Sequence, residues 1–134
     1  MTLVPTISEM SSSGPVLVAE DDRDLRDIIA AFLEAKGWQV VALGSRSATV
    51  GTVWLERFTA AVLDVRSCAS AGFKLLEVLR ATSPSLPVIV IASFGDVQVS
   101  RRARAMGAAD VLEKPFALED LELTLDRLEP APSA

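Results

Sequence analysis

The stretch Val16-Leu17-Val18-Ala19-Glu20-Asp21-Asp22 joins four apolar residues directly to three acids. A short apolar run of this kind is typical of a parallel strand that is buried on both faces. The apolar residues that follow recur at the spacing of one helical face, at Leu25, Ile28, Ile29, Phe32 and Leu33. A buried strand, an acidic turn and an amphipathic helix together indicate the first half of a βαβ unit.

The rest of the chain repeats this alternation. Gly37 is placed to end the first helix, and further strands are predicted at residues 38–42, 60–63, 88–92 and 111–112. Helices are predicted from Gly44 to about Leu55, after Gly72, from about Asp96 to Met106, and from Leu118 to Leu128. The second of these five helices is rich in poor helix formers and should be the least stable. Five strands alternating with five helices predict an α/β domain with a parallel sheet.

Length and composition point to one folded domain. The 134 residues, half of them hydrophobic, suffice for one core, predicted at residues 15–129 between tails at 1–14 and 130–134. The net charge of −5 opposes the counterion release that drives nucleic-acid binding, so no nucleic-acid partner is expected. No apolar run approaches a membrane span and the start has no signal-peptide pattern, so we expect a cytoplasmic protein without a membrane partner.

The residue types restrict the chemistry further. The chain has no histidine, which excludes imidazole bases, imidazole metal ligands and nucleophiles activated by a histidine of its own. The single cysteine, Cys68, provides neither an internal disulfide nor a zinc cluster, and we expect it to be unreactive. Carboxylates, lysine and hydroxyls remain as the available reactive groups.

The predicted strands end on charged residues. Ligands of open parallel sheets bind beyond the carboxyl ends of the strands, where the strand order reverses. Glu20 and Asp21 follow the first strand, Asp64 follows the third and Lys114 follows the fifth. Their convergence predicts a site for an oxygen-preferring divalent cation such as Mg²⁺. Asp22 stands immediately before a helix, and we interpret it as an N-cap and not as a ligand.

Three stretches of the chain, taken together, resemble the receiver domain of bacterial two-component response regulators. They are residues 16–22, Ala61-Val62-Leu63-Asp64-Val65-Arg66 and Glu113-Lys114-Pro115-Phe116, and the similarity covers about Pro15 to Leu128. The resemblance implies a flavodoxin-like (βα)5 fold with strand order 2-1-3-4-5 and a cis Lys114–Pro115 peptide. It also implies that Asp64 is the phosphoacceptor and that Lys114 contacts the phosphoryl group. Mg²⁺ would be held by Glu20, Asp21, Asp64 and the backbone carbonyl of Arg66.

The same resemblance implies the partners. A chain without histidine must receive its phosphoryl group from outside, and the donors in this family are phosphohistidines on a sensor histidine kinase or a histidine phosphotransfer protein. We therefore expect a stand-alone phosphoacceptor, not an enzyme, that signals through a downstream protein or as a homodimer. The surface expected for this contact combines the fourth helix, the fifth strand and the last helix.

The sequence departs from the family pattern at three places. Ala92 occupies the position of the usual switch Thr or Ser, so a hydroxyl is missing unless the adjacent Ser93 substitutes for it. Val111 stands where a switch Tyr or Phe is usual, and Ser67-Cys68 replaces the common hydrophobic-Pro pair. The usual switch is therefore absent, and coupling between Asp64 and distant surfaces should be weak.

Two other functions stay open at this stage. The first is a degenerate receiver that serves as a docking or dimerisation module independently of phosphorylation. The second is an aspartyl-nucleophile phosphatase, which is disfavoured because Arg66 stands where such enzymes carry a second acid. The basic cluster of Arg101, Arg102 and Arg104 is interpreted as a solvated helix face, with docking of an acidic partner as the alternative.

Overall fold

The computed structural model describes residues 14–48 and 57–128. Within these ranges five parallel strands form one sheet in the order β2-β1-β3-β4-β5. They are β1 (Val16–Ala19), β2 (Val40–Leu43), β3 (Ala60–Val65), β4 (Val88–Ala92) and β5 (Asp110–Glu113). The helices of the same ranges are α1 (Arg23–Ala35), α2 (Ala71–Thr82), α3 (Val97–Ala105) and α4 (Leu118–Leu128). The predicted α/β class, the parallel sheet and the strand order are confirmed.

The sheet is covered by helices on both faces. On one face the strand residues Val16, Val18, Val62, Ile89 and Ile91 pack with α1 and α4, whose buried residues include Ile29, Leu33, Leu121 and Leu125. On the other face Leu17, Leu63 and Val90 pack with α2 and α3. Strands buried on both faces must be apolar at successive positions, which is why four of the five appear as short apolar runs.

The strand register brings the carboxyl ends together. Ala19 at the end of β1 aligns with Leu43 of β2 and with Leu63 of β3. Val65 of β3 aligns with Ala92 of β4, which in turn aligns with Glu113 of β5. The residues that follow β1, β4 and β5 therefore meet the end of β3 at one edge of the sheet.

Two glycines follow helix ends, and the end of the first helix at Gly37 is as predicted. Gly37 has a φ of 99° and Gly107 a φ of 93°, a left-handed conformation in which an L side chain would be strained. Three of the four described helices, α1, α2 and α3, are capped at their N-termini by Asp22, Ser70 and Asp96, whose side chains accept hydrogen bonds from backbone N–H groups. The interpretation of Asp22 as an N-cap is therefore confirmed.

Several boundaries differ from the sequence prediction. β2 begins at Val40, because the N–H of Trp38 donates to Leu33 and closes the end of α1 while its ring is buried in the core. β3 extends through Asp64 to Val65, because both residues align with β4. β5 is one residue longer at each end than predicted. The predicted second helix lies mostly outside the described residues, together with Trp54, residues 1–13 of the predicted N-terminal tail and all of the predicted C-terminal tail.

Among the described residues, no helix has both the length and the apolar character needed to cross a membrane.

Candidate functional site

The carboxyl ends of β1 and β3 present two buried carboxylates. Glu20 directly follows β1 and is 1% exposed, and Asp64 near the end of β3 is 5% exposed. Glu20 extends the face of β1 that carries Val16 and Val18, because side chains alternate along a strand. Since β1 and β3 are neighbours, the sheet itself holds the two carboxylates together. They lie where the strand order reverses, at the usual ligand-binding edge of such a sheet.

Lys114 is the third member of this cluster. Its N–H donates to the carbonyl of Ala92 at the end of β4, over 2.9 Å. Its Nζ lies 3.2 Å from Oδ1 of Asp64 and 3.7 Å from Oε1 of Glu20. The Lys114–Pro115 peptide is cis, as the resemblance implies. The structure thus brings together three of the four charged residues that were predicted to converge.

The two carboxylates carry more negative charge than Lys114 can neutralise. Burial is the main reason that the pKa of Glu20 rises from 4.5 to about 7, and the adjacent Asp64 adds to this rise. The N–H of Asp22, 3.1 Å from Oε2 of Glu20, and the charge of Lys114 oppose it in part. Oε1 of Glu20 and Oδ2 of Asp64 are buried without a hydrogen-bond partner. Buried acceptors of this kind are costly unless a ligand satisfies them.

Asp21 is turned away from this cluster. Its Oδ1 accepts a hydrogen bond of 2.7 Å from the N–H of Ser45, in the turn that follows β2. Among residues 14–48 and 57–128, no group of three or more acidic side chains is placed to share one metal ion. The structure therefore does not bring Asp21 together with Glu20 and Asp64 as predicted, because the backbone N–H of Ser45 holds its carboxylate.

The remaining donors still fit a hard cation. Two adjacent carboxylates with unpartnered oxygens supply the ligand type that Mg²⁺ prefers, and a divalent charge would relieve their repulsion. Arg66 was predicted to contribute only its backbone carbonyl. Its largely exposed side chain also reaches the cluster, with Nε 3.9 Å from Oδ2 of Asp64. Neither this contact nor the Asp21–Ser45 bond is visible in sequence, because both depend on how loops are placed.

The switch positions are occupied by small apolar side chains. Ala92 and Val111 are buried in the same core cluster, on the face of the sheet covered by α2 and α3. Beside Val111 an open groove of about 390 Å³ is lined by residues that include Ser100, Arg104 and Phe116. Ser93 is exposed at the start of the loop after β4, and its carbonyl accepts a hydrogen bond from the N–H of Asp96.

Two further predictions concern residues outside the cluster of Glu20, Asp64 and Lys114. Cys68 is a free, partly buried thiol that packs against the core. In the basic cluster, Arg102 lies over the ring of Phe73 at 5.4 Å and Arg104 lies 3.5 Å from Asp110. These two arginines make contacts within the chain, which favours the interpretation as a helix face over a docking surface.

Comparison with known proteins agrees with this geometry. A family profile described as the response regulator receiver domain matches residues 16–126. The chain belongs to this family. It is a receiver domain of two-component signalling, a class of regulators that act with histidine kinases and downstream effectors and are generally not enzymes.

Individual relatives support the assignment. The response regulator protein FleR of Pseudomonas aeruginosa is 38% identical over 112 residues, which cover 81% of this chain and 24% of FleR. The transcriptional regulatory protein FixJ of Azorhizobium caulinodans is 40% identical over 108 residues, covering 80% of this chain and 51% of FixJ. The receiver domain of NtrX from Brucella abortus superposes with a TM-score of 0.75 at 29% identity, covering 84% of this chain and 96% of the solved chain. The chain thus spans between a quarter and half of these two curated relatives.

Proposed function

We propose that this receiver accepts a phosphoryl group on Asp64 in a Mg²⁺-dependent reaction. The observation that supports this most directly is the pairing of Lys114 Nζ with Asp64 Oδ1 at 3.2 Å, beside the unpartnered Oδ2. A carboxylate buried at the ligand-binding edge of the sheet, with Lys114 on one oxygen and no hydrogen-bond partner on the other, is suited to act as a nucleophile.

The reaction is a transfer between two bonds. An oxygen of Asp64 attacks the phosphorus of a phosphohistidine, the phosphorus–nitrogen bond breaks, and the imidazole leaves with the electron pair. The product is an acyl phosphate on Asp64. Such transfers need mainly in-line positioning and neutralisation of the phosphoryl oxygens. Lys114 is placed to supply positive charge to those oxygens, and Arg66 approaches from the solvent side.

Glu20 and Asp64 are the side chains that we expect to hold Mg²⁺, joined by Asp21 and the carbonyl of Arg66. When bound, the ion supplies charge neutralisation for the phosphoryl group. The chain's own contribution is to keep the two carboxylates adjacent and nearly free of water, so that they attract a cation strongly.

The phosphoryl donor is proposed to be a sensor histidine kinase or a histidine phosphotransfer protein, since this chain has no histidine. The proposed contact for a downstream protein or a second copy is the surface formed by α3, β5 and α4. Here α3 is the predicted fourth helix and α4 the predicted last helix. The groove beside Val111 lies on this surface, and Leu123 of α4, which is 61% exposed, adds apolar area.

A second candidate function is docking that is independent of phosphorylation. It is favoured by one observation, the apolar side chains of Ala92 and Val111 in the core cluster. Without a hydroxyl at Ala92, a phosphoryl group on Asp64 has no buried donor on β4 that would follow it.

Intact-mass analysis after incubation with Mg²⁺ and acetyl phosphate tests the proposed function. We expect the mass to increase by one phosphoryl group, and the increase to require Mg²⁺. Asp64→Asn should abolish it, whereas Asp27→Asn on the exposed face of α1 serves as the matched control and should retain it. Equal labelling of the Asp64→Asn variant would rule out Asp64 as the phosphoacceptor.

A further inference from the structure

A hydrogen bond joins the turn after β2 to Asp21, which lies just beyond the carboxyl end of β1. The 2.7 Å hydrogen bond from the N–H of Ser45 to Oδ1 of Asp21 spans 24 positions of sequence and joins two loops. A bond from a backbone N–H to an ionised carboxylate is among the stronger protein hydrogen bonds. The same loops are joined by the N–H of Glu20, which donates to the carbonyl of Leu43.

The surroundings of this bond are shaped to fit it. A Cβ at Gly44 would lie 3.3 Å from Oδ1 of Asp21, so the absence of a side chain there leaves room for the carboxylate. Arg26 donates from Nη1 to the carbonyl of Glu20 over 3.0 Å and fixes the backbone just before Asp21. Ser45 is 4% exposed, and its hydroxyl is buried without a hydrogen-bond partner. The backbone N–H of Ser45, and not its side chain, is therefore the functional group.

We propose that Ser45 is a positioning residue whose backbone N–H holds the Asp21 carboxylate away from the cation site. A cation bound at Glu20 and Asp64 then recruits Asp21 by breaking this hydrogen bond. The inference rests on the proposed function, because it requires a cation at that site. It starts from the placement of Asp21, whose Oδ1 is held by the N–H of Ser45 and which belongs to no group of three acids placed to share a metal ion among the described residues.

The consequence is a signal route toward β2. Ser45 lies two residues beyond β2, which is an outer strand of the sheet. Ala92 and Val111, the apolar replacements in the usual switch, lie on β4 and β5, toward the other edge. Release of the Ser45 N–H would couple cation binding at the site to the conformation of the turn at residues 44–48.

The turn geometry allows the bond to be removed selectively. The N–H of Ser47 donates to the carbonyl of Gly44 over 3.0 Å, which makes Ser45 the second residue of a four-residue turn. Proline is favoured at that position, and it lacks the N–H that Asp21 uses. Ser45→Pro therefore removes the hydrogen bond, while Ser45→Ala keeps it and removes only the unpartnered hydroxyl.

Titration of the ¹⁵N-labelled chain with MgCl₂ in NMR experiments provides the test. Addition of Mg²⁺ should shift the Ser45 amide upfield and speed its exchange with solvent. Ser45→Pro should tighten the apparent Mg²⁺ dissociation constant about 5-fold or more, since the ion no longer competes with a charge-assisted hydrogen bond. Ser45→Ala should bind Mg²⁺ like the parent, and in an Asp21→Ala background Ser45→Pro should have no effect.

The outcomes separate this inference from the proposed function. If the parent binds Mg²⁺ but Ser45→Pro binds it equally or more weakly, the Ser45 N–H does not hold Asp21 away from the cation site and the inference is wrong. If no variant binds Mg²⁺, the proposed cation site fails and the inference fails with it. If Ser45→Pro does not fold, the Ser45 amide of the parent decides, because an amide that is unchanged at saturating Mg²⁺ contradicts the release.

Discussion

At the scale of single residues, Glu20 has the most perturbed environment of the site. Its neighbours include Asp64 and Lys114, and its burial is nearly complete. Burial raises its pKa from 4.5 to about 7, so the folded chain keeps a proton that the unfolded chain loses. Stability from this group is present in full below pH 4.5 and is lost as the pH rises toward 7.

The first prediction follows from that sign. Without Mg²⁺, the parent should lose on the order of 2 kcal/mol of unfolding free energy between pH 5 and pH 8 relative to Glu20→Gln, which cannot titrate. Urea denaturation at the two pH values measures the difference. Glu77→Gln, at an exposed position of α2, should keep the pH dependence of the parent. If Glu20→Gln and the parent show parallel pH profiles, the carboxyl of Glu20 is not protonated in the folded state.

At the scale of elements, the position of Asp64 depends on a close approach between α2 and β3. Gly72 lies against the backbone carbonyl of Asp64, and a Cβ at Gly72 would overlap that oxygen. The start of α2 therefore fixes the end of β3, where the site residue is carried.

Gly72→Ala is accordingly predicted to destabilise the fold by about 1–3 kcal/mol, since backbone atoms must move to admit the methyl group. It should also weaken Mg²⁺ binding by displacing Asp64. Urea denaturation and a Mg²⁺ titration check both effects. Lys74→Ala, on the exposed side of the same helix, should change stability by less than about 0.5 kcal/mol. Equal stability of Gly72→Ala and Lys74→Ala would refute the close-packing argument.

A second link between elements is made by Arg80 of α2. Its guanidinium donates to carbonyls of the loop before β4, at Ser83, Pro84 and Leu86, and to the carbonyl of Gly107 before β5. One side chain thus joins the two loops that lead into neighbouring strands.

Replacing this arginine with methionine should cost about 1–3 kcal/mol, because carbonyls that are partly buried lose a charged donor. Thermal or urea denaturation measures the loss. Arg101→Met, at an exposed position of α3, provides the comparison and should be close to neutral. The link would be unimportant if the two variants had the same stability.

At the scale of the whole molecule, most of the fold is determined by local sequence pattern. Apolar runs and helical spacing predict all five strands and the four helices of the described residues, because strands buried on both faces and amphipathic helices need those patterns. Boundaries at Trp38 and Val65 were missed, since they depend on which neighbour supplies a hydrogen bond. The pairing of Glu20, Asp64 and Lys114 was predictable because strand ends must meet at one edge.

The direction of Asp21 was not predictable, because its partner is a backbone N–H 24 positions away. The sequence also identified Ala92 and Val111 as departures, and the structure adds the open groove beside Val111. That groove has space for a larger side chain. Val111→Tyr should therefore be accommodated, and together with Ala92→Thr it should strengthen coupling between the site and α3.

The most direct measurement compares backbone amide shifts of the parent with and without Mg²⁺ and beryllofluoride, a mimic of the phosphoryl group. We predict clear changes around Asp64, Ser93 and Lys114 and only small changes from Val99 to Val111, because a hydroxyl at Ala92 would contribute about 1.5–3 kcal/mol toward the switch and is missing. The Ala92→Thr and Val111→Tyr variant should extend the changes into Val99 to Val111. No change at Asp64 would contradict phosphoryl acceptance, and large changes from Val99 to Val111 in the parent would contradict weak coupling.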